Sequence, residues 1–358
     1  MMKKKISTIV IIFIIIAILI SAYYILYIDK AGQHFIFSLH RIREVNSVLE
    51  ERLPKEKWKF EGLSVESQKY ELGNPDIEKI GNNYIMYFMR INEKGFTDIH
   101  IALSPDGLKW EIQKEPLFKK ASMPAAIQLP DGKWRLYFYS IEKGGYISAI
   151  SEDGINFKVE DGIRIATGKG SFSAIKNIVH PDVIRVDNGY RMFFDGMYDA
   201  RKCEQFKFHM PEVGGECELR YEENERCLAL IHSAFSEDGL NWTYEGVVIG
   251  FKDKPLTNMV ATGGPTVVKV EDEYKMYFIP SLHKMKTIKQ DDGTITECRM
   301  DFHFGSVYLA TSKDGKDFKI VKRLNVFEGD PAVVKTNGKL RLYTWAGGRI
   351  FSYSLDVE

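Results

Sequence analysis

One short phrase recurs four times along this chain and limits the folds it can build. The copies are Ser104-Pro-Asp106-Gly107-Leu-Lys-Trp110, Ser151-Glu-Asp153-Gly154-Ile-Asn-Phe157, Ser236-Glu-Asp238-Gly239-Leu-Asn-Trp242 and Ser312-Lys-Asp314-Gly315-Lys-Asp-Phe318. A second phrase precedes each: a proline, a β-branched or apolar stretch, a turn, then a run of aromatics. Its versions are Pro75 with Tyr84-Ile-Met86-Tyr-Phe88, Pro124 with Trp134-Arg-Leu136-Tyr-Phe138, Pro181 with Tyr190-Arg-Met192-Phe-Phe194, and Pro265 with Tyr274-Lys-Met276-Tyr-Phe278. A fifth copy starts at Pro331 and reaches Leu340-Arg-Leu342-Tyr343. Period-2 alternation between turn residues reads as short antiparallel strands. Tandem four-stranded units predict an all-β chain, a five-bladed β-propeller. The intervals lengthen after Pro181 and after Pro265, so two blades carry insertions.

The fifth unit ends after Arg349-Ile-Phe-Ser-Tyr-Ser-Leu-Asp, before any Asp-Gly turn or fourth strand. The missing strand is found at the other end of the domain. Lys57-Trp58-Lys-Phe-Glu61-Gly62 matches Asn241-Trp242-Thr-Tyr-Glu245-Gly246, the fourth strand of the third unit. An N-terminal strand pairing beside Ile350–Leu355 would complete the last blade and remove its open edge. A six-bladed, sialidase-like ring is the competing architecture, and it would need a sixth proline phrase.

Ahead of the propeller, residues 58–358, the chain divides into three parts. Residues 1–5 include Lys3, Lys4 and Lys5. Residues 6–28 are uncharged and mostly apolar. At about 1.5 Å per residue this run crosses the roughly 30 Å hydrocarbon core of a bilayer. Its length and the lack of an A-x-A site predict an uncleaved transmembrane signal anchor, with the propeller on the extracytoplasmic side of the cell membrane. A cleaved signal peptide is the alternative. In residues 29–57, Phe35, Leu39, Ile42, Val45, Leu49 and Leu53 recur at helical spacing, which predicts a short amphipathic helix.

Composition removes other classes. Lys+Arg and Asp+Glu both number 49, and a nucleic-acid binder would need a basic excess. An apolar share of 44% with 13% aromatics excludes disorder. Cys203, Cys217, Cys227 and Cys298 form no C-x-x-C pair, so no structural zinc is expected. Outside the membrane they predict at least one disulfide, with the pairing open. His180, His232, His283 and His303 read as ordinary loop or strand residues, and no metal or cofactor is expected.

Strand parity sorts the loops onto two faces. The Ser-x-Asp-Gly turns join strands three and four, and they read as structural: Asp accepts backbone N–H groups while Gly takes the strained dihedral. Both insertions, Met197–Leu228 and Ser281–His303, join strands two and three. They therefore share the other face with the starts of the inner strands. There the candidate residues flank the prolines: Asn74, Asp76, His180, Asp182, Glu328 and Asp330. Asp195 and Trp345 stand at the ends of second strands. Carboxylates around a funnel with an indole nearby suit sugar binding or acid–base chemistry. Asp76, Asp182 and Asp330 are the candidate catalytic carboxylates, and Asn74, His180, Asp195, Glu328 and Trp345 the candidate substrate-binding groups.

The proline phrase, the Tyr-x-Met-Tyr-Phe strand, the Ser-x-Asp-Gly-x-x-Trp turn and the fivefold count resemble the arabinanase/levansucrase/invertase superfamily. It comprises five-bladed propellers that include glycoside hydrolase families 32, 43, 62, 68 and 130. The resemblance covers residues 58–358 and implies a carbohydrate, poly- or oligosaccharide, as substrate or ligand. Family 43 enzymes carry an Asp base, a second Asp and a Glu acid at positions that fall here on Asn74, His180 and Gly263. None of the three is acidic. Two readings follow: a glycoside hydrolase whose acid–base pair has moved to other carboxyls, or a propeller that binds glycans or an envelope partner without cleaving them. Inversion would require carboxyls roughly 6.5–9.5 Å apart.

Overall fold

The structure, a computed structural model, describes residues 53–357 other than 68–69, 200–206, 211–214, 219–225, 250–258, 290–294, 305, 337 and 347. The 6–28 run and the 29–57 linker up to residue 52 lie outside the described residues. So do Cys203 and the side chains of Cys217, Cys227, Cys298, His283 and His303. The linker's last residues are not helical: Leu53 stands in a bend and Lys55–Glu56 forms β1.

Five antiparallel sheets follow one another around a ring. After β2 (Lys59–Glu66), the first blade is β3 (Leu72–Ile80), β4 (Asn83–Ile91), β5 (Thr97–Ser104) and β6 (Glu111–Ile112). The second is β7 (Ala121–Gln128), β8 (Trp134–Ser140), β9 (Gly145–Ser151) and β10 (Lys158–Val159). The third opens with β11 (Ile175–Val186) and β12 (Gly189–Asp199). Its insertion forms the separate hairpin of β13 (Lys207–Met210) and β14 (Gly215–Glu218), and β15 (Arg226–Ser236) and β16 (Thr243–Ile249) complete the sheet. In the fourth, β17 (Met259–Val270) pairs β18 (Glu273–Lys289), whose far half extends as a hairpin with β19 (Ile295–Phe304) before β20 (Tyr308–Ser312) and β21 (Lys319–Leu324). The fifth is β22 (Gly329–Thr336), β23 (Lys339–Ala346) and β24 (Arg349–Asp356), with β2 as its outer strand.

That last pairing is the closure predicted from Lys57-Trp58. β2 runs antiparallel to β24 from Lys59 opposite Ser354 to Glu66 opposite Arg349. It starts two residues after Lys57, where the sequence match begins, and reaches four residues beyond Gly62, where it ends. β1 was not predicted: it pairs in parallel with β21, so the chain crosses the outer edge of the fourth blade before sealing the fifth.

The second strand of each blade reads as nearly continuous apolar sequence because it is covered on both sides. Met86, Tyr87, Phe88, Met276, Tyr277 and Phe278 are all fully buried. At every blade boundary the aromatic of this strand meets, edge to face, an aromatic of the neighbouring blade: the one that ends its Asp-Gly phrase at four boundaries, and Trp58 at the fifth. The pairs are Tyr87–Phe157, Tyr137–Trp242, Phe193–Phe318, Tyr277–Trp58 and Tyr343–Trp110, with centroids 5.4–5.9 Å apart and planes at 76–88°. Such pairs are worth about 0.5–1.5 kcal/mol each beyond the area they bury. Trp58 thus fills the role that Trp242 fills in the third blade.

The Asp-Gly turns are structural. In each, the Asp side chain accepts the next backbone N–H groups, as Asp153 does from Ile155 and Asn156 at 2.9 and 2.7 Å. These donors hold Asp106, Asp153 and Asp314 below the usual carboxylate range. The turn carbonyls are in turn gripped by the preceding blade: Tyr87, Tyr137 and Tyr343 donate to Gly154, Gly239 and Gly107 at 2.6, 2.7 and 2.6 Å. The third blade has Phe193 here, and Arg191 donates to the Gly315 carbonyl instead.

Candidate functional site

The five prolines lie within the inner strands, and the residue before each has a positive φ. The values are 47° at Asn74, 57° at Met123, 49° at His180, 59° at Gly264 and 45° at Asp330. At the same five places the register of the inner strand slips against its neighbour, as between Gly73 and Asp76 or Gly329 and Ala332. A proline at the next position disfavours helical dihedrals, and a side chain at positive φ adds strain. Only tertiary packing holds such a conformation, and strain of this kind gathers at functional sites. The bulges turn five side-chain positions toward one pocket at the axis. It is lined by Asn74, Met123, His180, Gly264 and Asp330, by their prolines and by the residues that follow them.

Three of the five pre-proline side chains are joined in one chain of polar contacts, a hydrogen bond between Asn74 and Asp330 and an ion pair between Asp330 and His180. Asn74 Nδ2 donates to Asp330 Oδ2 at 3.0 Å. Asp330 Oδ1 lies 3.2 Å from His180 Nε2, and His180 Nδ1 is 2.6 Å from Asp195 Oδ2. Asp195, fully buried, also accepts the Gly264 N–H at 3.0 Å. Burial works against a charged imidazole at His180, but the Asp330 carboxylate and the Asp195 hydrogen bond outweigh it and raise its pKa to about 9. It is an imidazolium at neutral pH. Burial raises the Asp195 carboxyl, against the pull of His180.

Asp76 and Asp182, one residue past their prolines, line the same pocket but reach sideways. Asp76 Oδ2 accepts the Ala126 N–H of the second blade at 2.7 Å, and Asp182 Oδ2 the Val267 N–H of the fourth at 2.5 Å. Thr266 repeats the link by accepting the Val333 N–H at 3.1 Å. Burial lifts Asp182 to about 7, and burial plus the nearness of Asp182 lifts Asp76 to about 8. Glu78, two positions further along the same strand, is pushed up by burial and by both aspartates. It was not singled out from sequence, although its i+2 spacing from Asp76 places it on the same strand face.

The remaining candidates stand apart. The Glu328 carboxylate stays within the fifth blade, accepting from Tyr353 at 2.8 Å and Thr344 at 3.3 Å. The Trp345 ring packs against Gly329 and Gly73, beside the pocket and not in its wall. Of the three family 43 positions, Gly263 is informative. A Cβ there would lie 2.8 Å from Asp195 Oδ2, so the Asp195 carboxylate occupies the space a side chain at Gly263 would need. Asp330 likewise sits against Asn74. Among the described residues, no group of three or more His, Cys, Asp or Glu side chains is placed to hold a metal ion.

No family model and no curated protein matches the sequence. Solved structures do match. One described as a glycoside hydrolase is 13% identical, with a TM-score of 0.57 over 88% of this chain and 94% of its own. A second, from work on family 130 mannoside phosphorylases and the glycoside hydrolases among them that target β-1,2 mannosidic linkages in Candida mannan, is 12% identical, with a TM-score of 0.54 over 82% and 85%. A thermostable family 43 glycoside hydrolase is 13% identical, with a TM-score of 0.52 over 82% and 91%. At this level of identity the likeness is one of fold: the chain is a five-bladed β-propeller built like the family 43 and family 130 glycoside hydrolase structures.

Proposed function

We propose that this is a carbohydrate-acting propeller of glycoside hydrolase type, anchored by residues 6–28 with the propeller on the extracytoplasmic side. The observation that carries the reading is the strained ring of pre-proline residues, in which Asn74, Asp330 and His180 from three blades are joined by a hydrogen bond and an ion pair. Asp330 abuts Asn74, where family 43 enzymes keep their base, which supports a relocated base. Asp182, with a pKa lifted to about 7, suits the acid. Asp330, held between Asn74 and His180, suits the base, with His180 and Asn74 fixing its carboxylate and Asp195 fixing His180. In that arrangement the glycosidic C–O bond breaks as the leaving oxygen takes the Asp182 proton. Water attacking the anomeric carbon gives its proton to Asp330.

A second reading, binding without cleavage, is favoured by the pocket's size. Its volume is about 30 Å³, room for a water-sized group and not for a sugar ring. One experiment separates the two. Full-length chain on intact cells is offered labelled polysaccharides too large to cross the membrane, and hydrolysis of those that bind is then followed. An enzyme with this pair should lose at least about 10²-fold in turnover in Asp182→Asn and in Asp330→Asn while retaining most of its affinity. A binding module shows no turnover at the outset. No surface binding of any glycan would reject the proposal.

A further inference from the structure

The second strands of three blades carry an arginine with a glutamate of its own. Arg135, Arg191 and Arg341 pair with Glu160, Glu245 and Glu61 at 2.9, 2.8 and 2.6 Å. Arg90 belongs to no such set. It stands at the axial-face end of β4, where the matching positions of the other blades hold Ser140, Gly196, Pro280 and Ala346. The blade repeat therefore asks for no cation there. The Arg90 guanidinium lies over the ring of Tyr70, in the connection from β2 to β3, 4.4 Å from its centroid. Among the described residues it makes no hydrogen bond and no ion pair: Nε is buried and unpaired, and the two terminal nitrogens keep their surface at the half-buried end of the side chain.

The carboxylates around it are engaged elsewhere. Asp98, opposite Arg90 in the ladder, accepts from Asn92 Nδ2 at 2.9 Å and from the Lys120 N–H at 2.8 Å. Glu93 accepts the Tyr70 hydroxyl at 3.2 Å, and Asp330 holds Asn74 and His180. His100, fully buried against Phe88, is kept neutral by burial and by Arg90, which lower its pKa to about 4. A half-buried guanidinium without a counter-charge is matched to an anion from outside. The position also adjoins the axial pocket. Arg90 pairs with Leu72, and two residues of strand, about 7 Å, separate Leu72 from Asn74. Between them, a Cβ at Gly73 would lie 3.9 Å from Asp330 Oδ2 and 4.0 Å from the Trp345 ring. Near pH 6 the pocket sets little negative charge against an acid: Asp76 and Asp182, lifted to about 8 and about 7, keep their protons, and Asp330 faces the His180 imidazolium.

We propose that Arg90 receives the carboxylate of a uronic-acid residue at the mouth of the axial face, its two terminal nitrogens donating to the two carboxylate oxygens. The assignment rests on the reading that carbohydrate meets this face, and it names the class of sugar. Stacking on Tyr70 holds the guanidinium plane, so little side-chain freedom is lost when the acid docks.

The test uses full-length chain in detergent near pH 6. Oligomers of galacturonic, glucuronic and mannuronic acid are titrated calorimetrically, each beside its methyl ester, which keeps the shape and removes the charge. The expected result is that one acid oligomer binds about tenfold or more tighter than its ester, and that this advantage shrinks as sodium chloride is raised. Arg90→Met keeps a stem against Tyr70 and drops the charge. It also removes a buried unpaired donor, so its Tm should equal or exceed that of the parent. The variant should bind acid and ester alike, and Arg90→Lys should recover part of the preference. Should Arg90→Met fail to fold, Arg90→Gln is read in the same way. A preference for the acid that survives the loss of Arg90 would overturn the inference. So would tighter, Arg90-dependent binding of a sulfated oligosaccharide, which would put a sulfate ester in place of the carboxylate. Equal affinity of the parent for acids, esters and neutral oligosaccharides would remove the acid assignment and leave the carbohydrate reading standing. No binding of any saccharide would remove both.

Discussion

Asp76 holds the second blade through a backbone N–H while its own proton is held in place by burial and by Asp182. Its pKa of about 8, against an ordinary 3.8, means that the folded chain keeps a proton that the unfolded chain gives up. Stability from this group is fully present below about pH 4 and is lost as pH rises through 8. Asp182 acts in the same sense up to about 7, and His180, raised from 6.5 to about 9, loses its contribution across that interval. Alkaline conditions should therefore loosen the axis. Asp76→Asn keeps an oxygen for the Ala126 N–H and cannot ionise. The variant should match the parent below about pH 4 and exceed its Tm at pH 9, by roughly 2–4 °C for each kcal/mol removed. Thermal unfolding across that pH range checks it, and parallel curves for the two proteins would show that Asp76 does not titrate in the fold.

Among the elements, the five boundaries between blades follow one plan with two departures, at Phe193 and at Tyr277. Tyr137 donates to a turn carbonyl, whereas Tyr277 faces a blade whose fourth strand comes from the other end of the chain, with no Asp-Gly turn to grip. Its buried hydroxyl has no partner. Tyr137→Phe should cost about 1–2 kcal/mol by leaving the Gly239 carbonyl unpaired, and Tyr277→Phe should be neutral or stabilising. Urea unfolding of the two variants would measure the difference, and equal losses would refute it. These boundaries were legible in the sequence because each depends on side chains that repeat: the aromatic, the Asp-Gly pair and the glutamate of the outer strand. Even Glu61 was readable, and it pairs with Arg341 at 2.6 Å as Glu245 does with Arg191 at 2.8 Å. The site was less legible. That Asn74, His180 and Asp330 would sit near the axis follows from the proline repeat. That Asp195 would fill the space beside Gly263, and that Glu328 would turn into its own blade, depends on packing between strands far apart in sequence. The two-residue β1 matches no repeat and gave no signal.

At the level of the whole molecule, stability rests on the ring being shut. Removing residues 53–66 would take away β1, β2, the edge contact of Trp58 with Tyr277 and the Glu61–Arg341 pair, and would expose both β21 and β24. The loss should exceed a large part of the roughly 5–15 kcal/mol that holds a domain folded. The shortened chain is expected to aggregate on expression. A soluble monomer with a single cooperative unfolding transition would show that the remaining sheets suffice.

The strap also sets a clock on synthesis. Glu66 and its partner Arg349 stand 283 positions apart. At about 5–20 residues per second, the first strand of the propeller leaves the ribosome roughly 15–60 s before the strand it must pair with exists. The earlier blades can assemble as they emerge, yet the first-made segment has to be kept from other partners until β24 arrives. A chain released early, even by a dozen residues, would carry every other blade and still be unable to finish. Only a ribosome that has passed β24 yields a closed molecule.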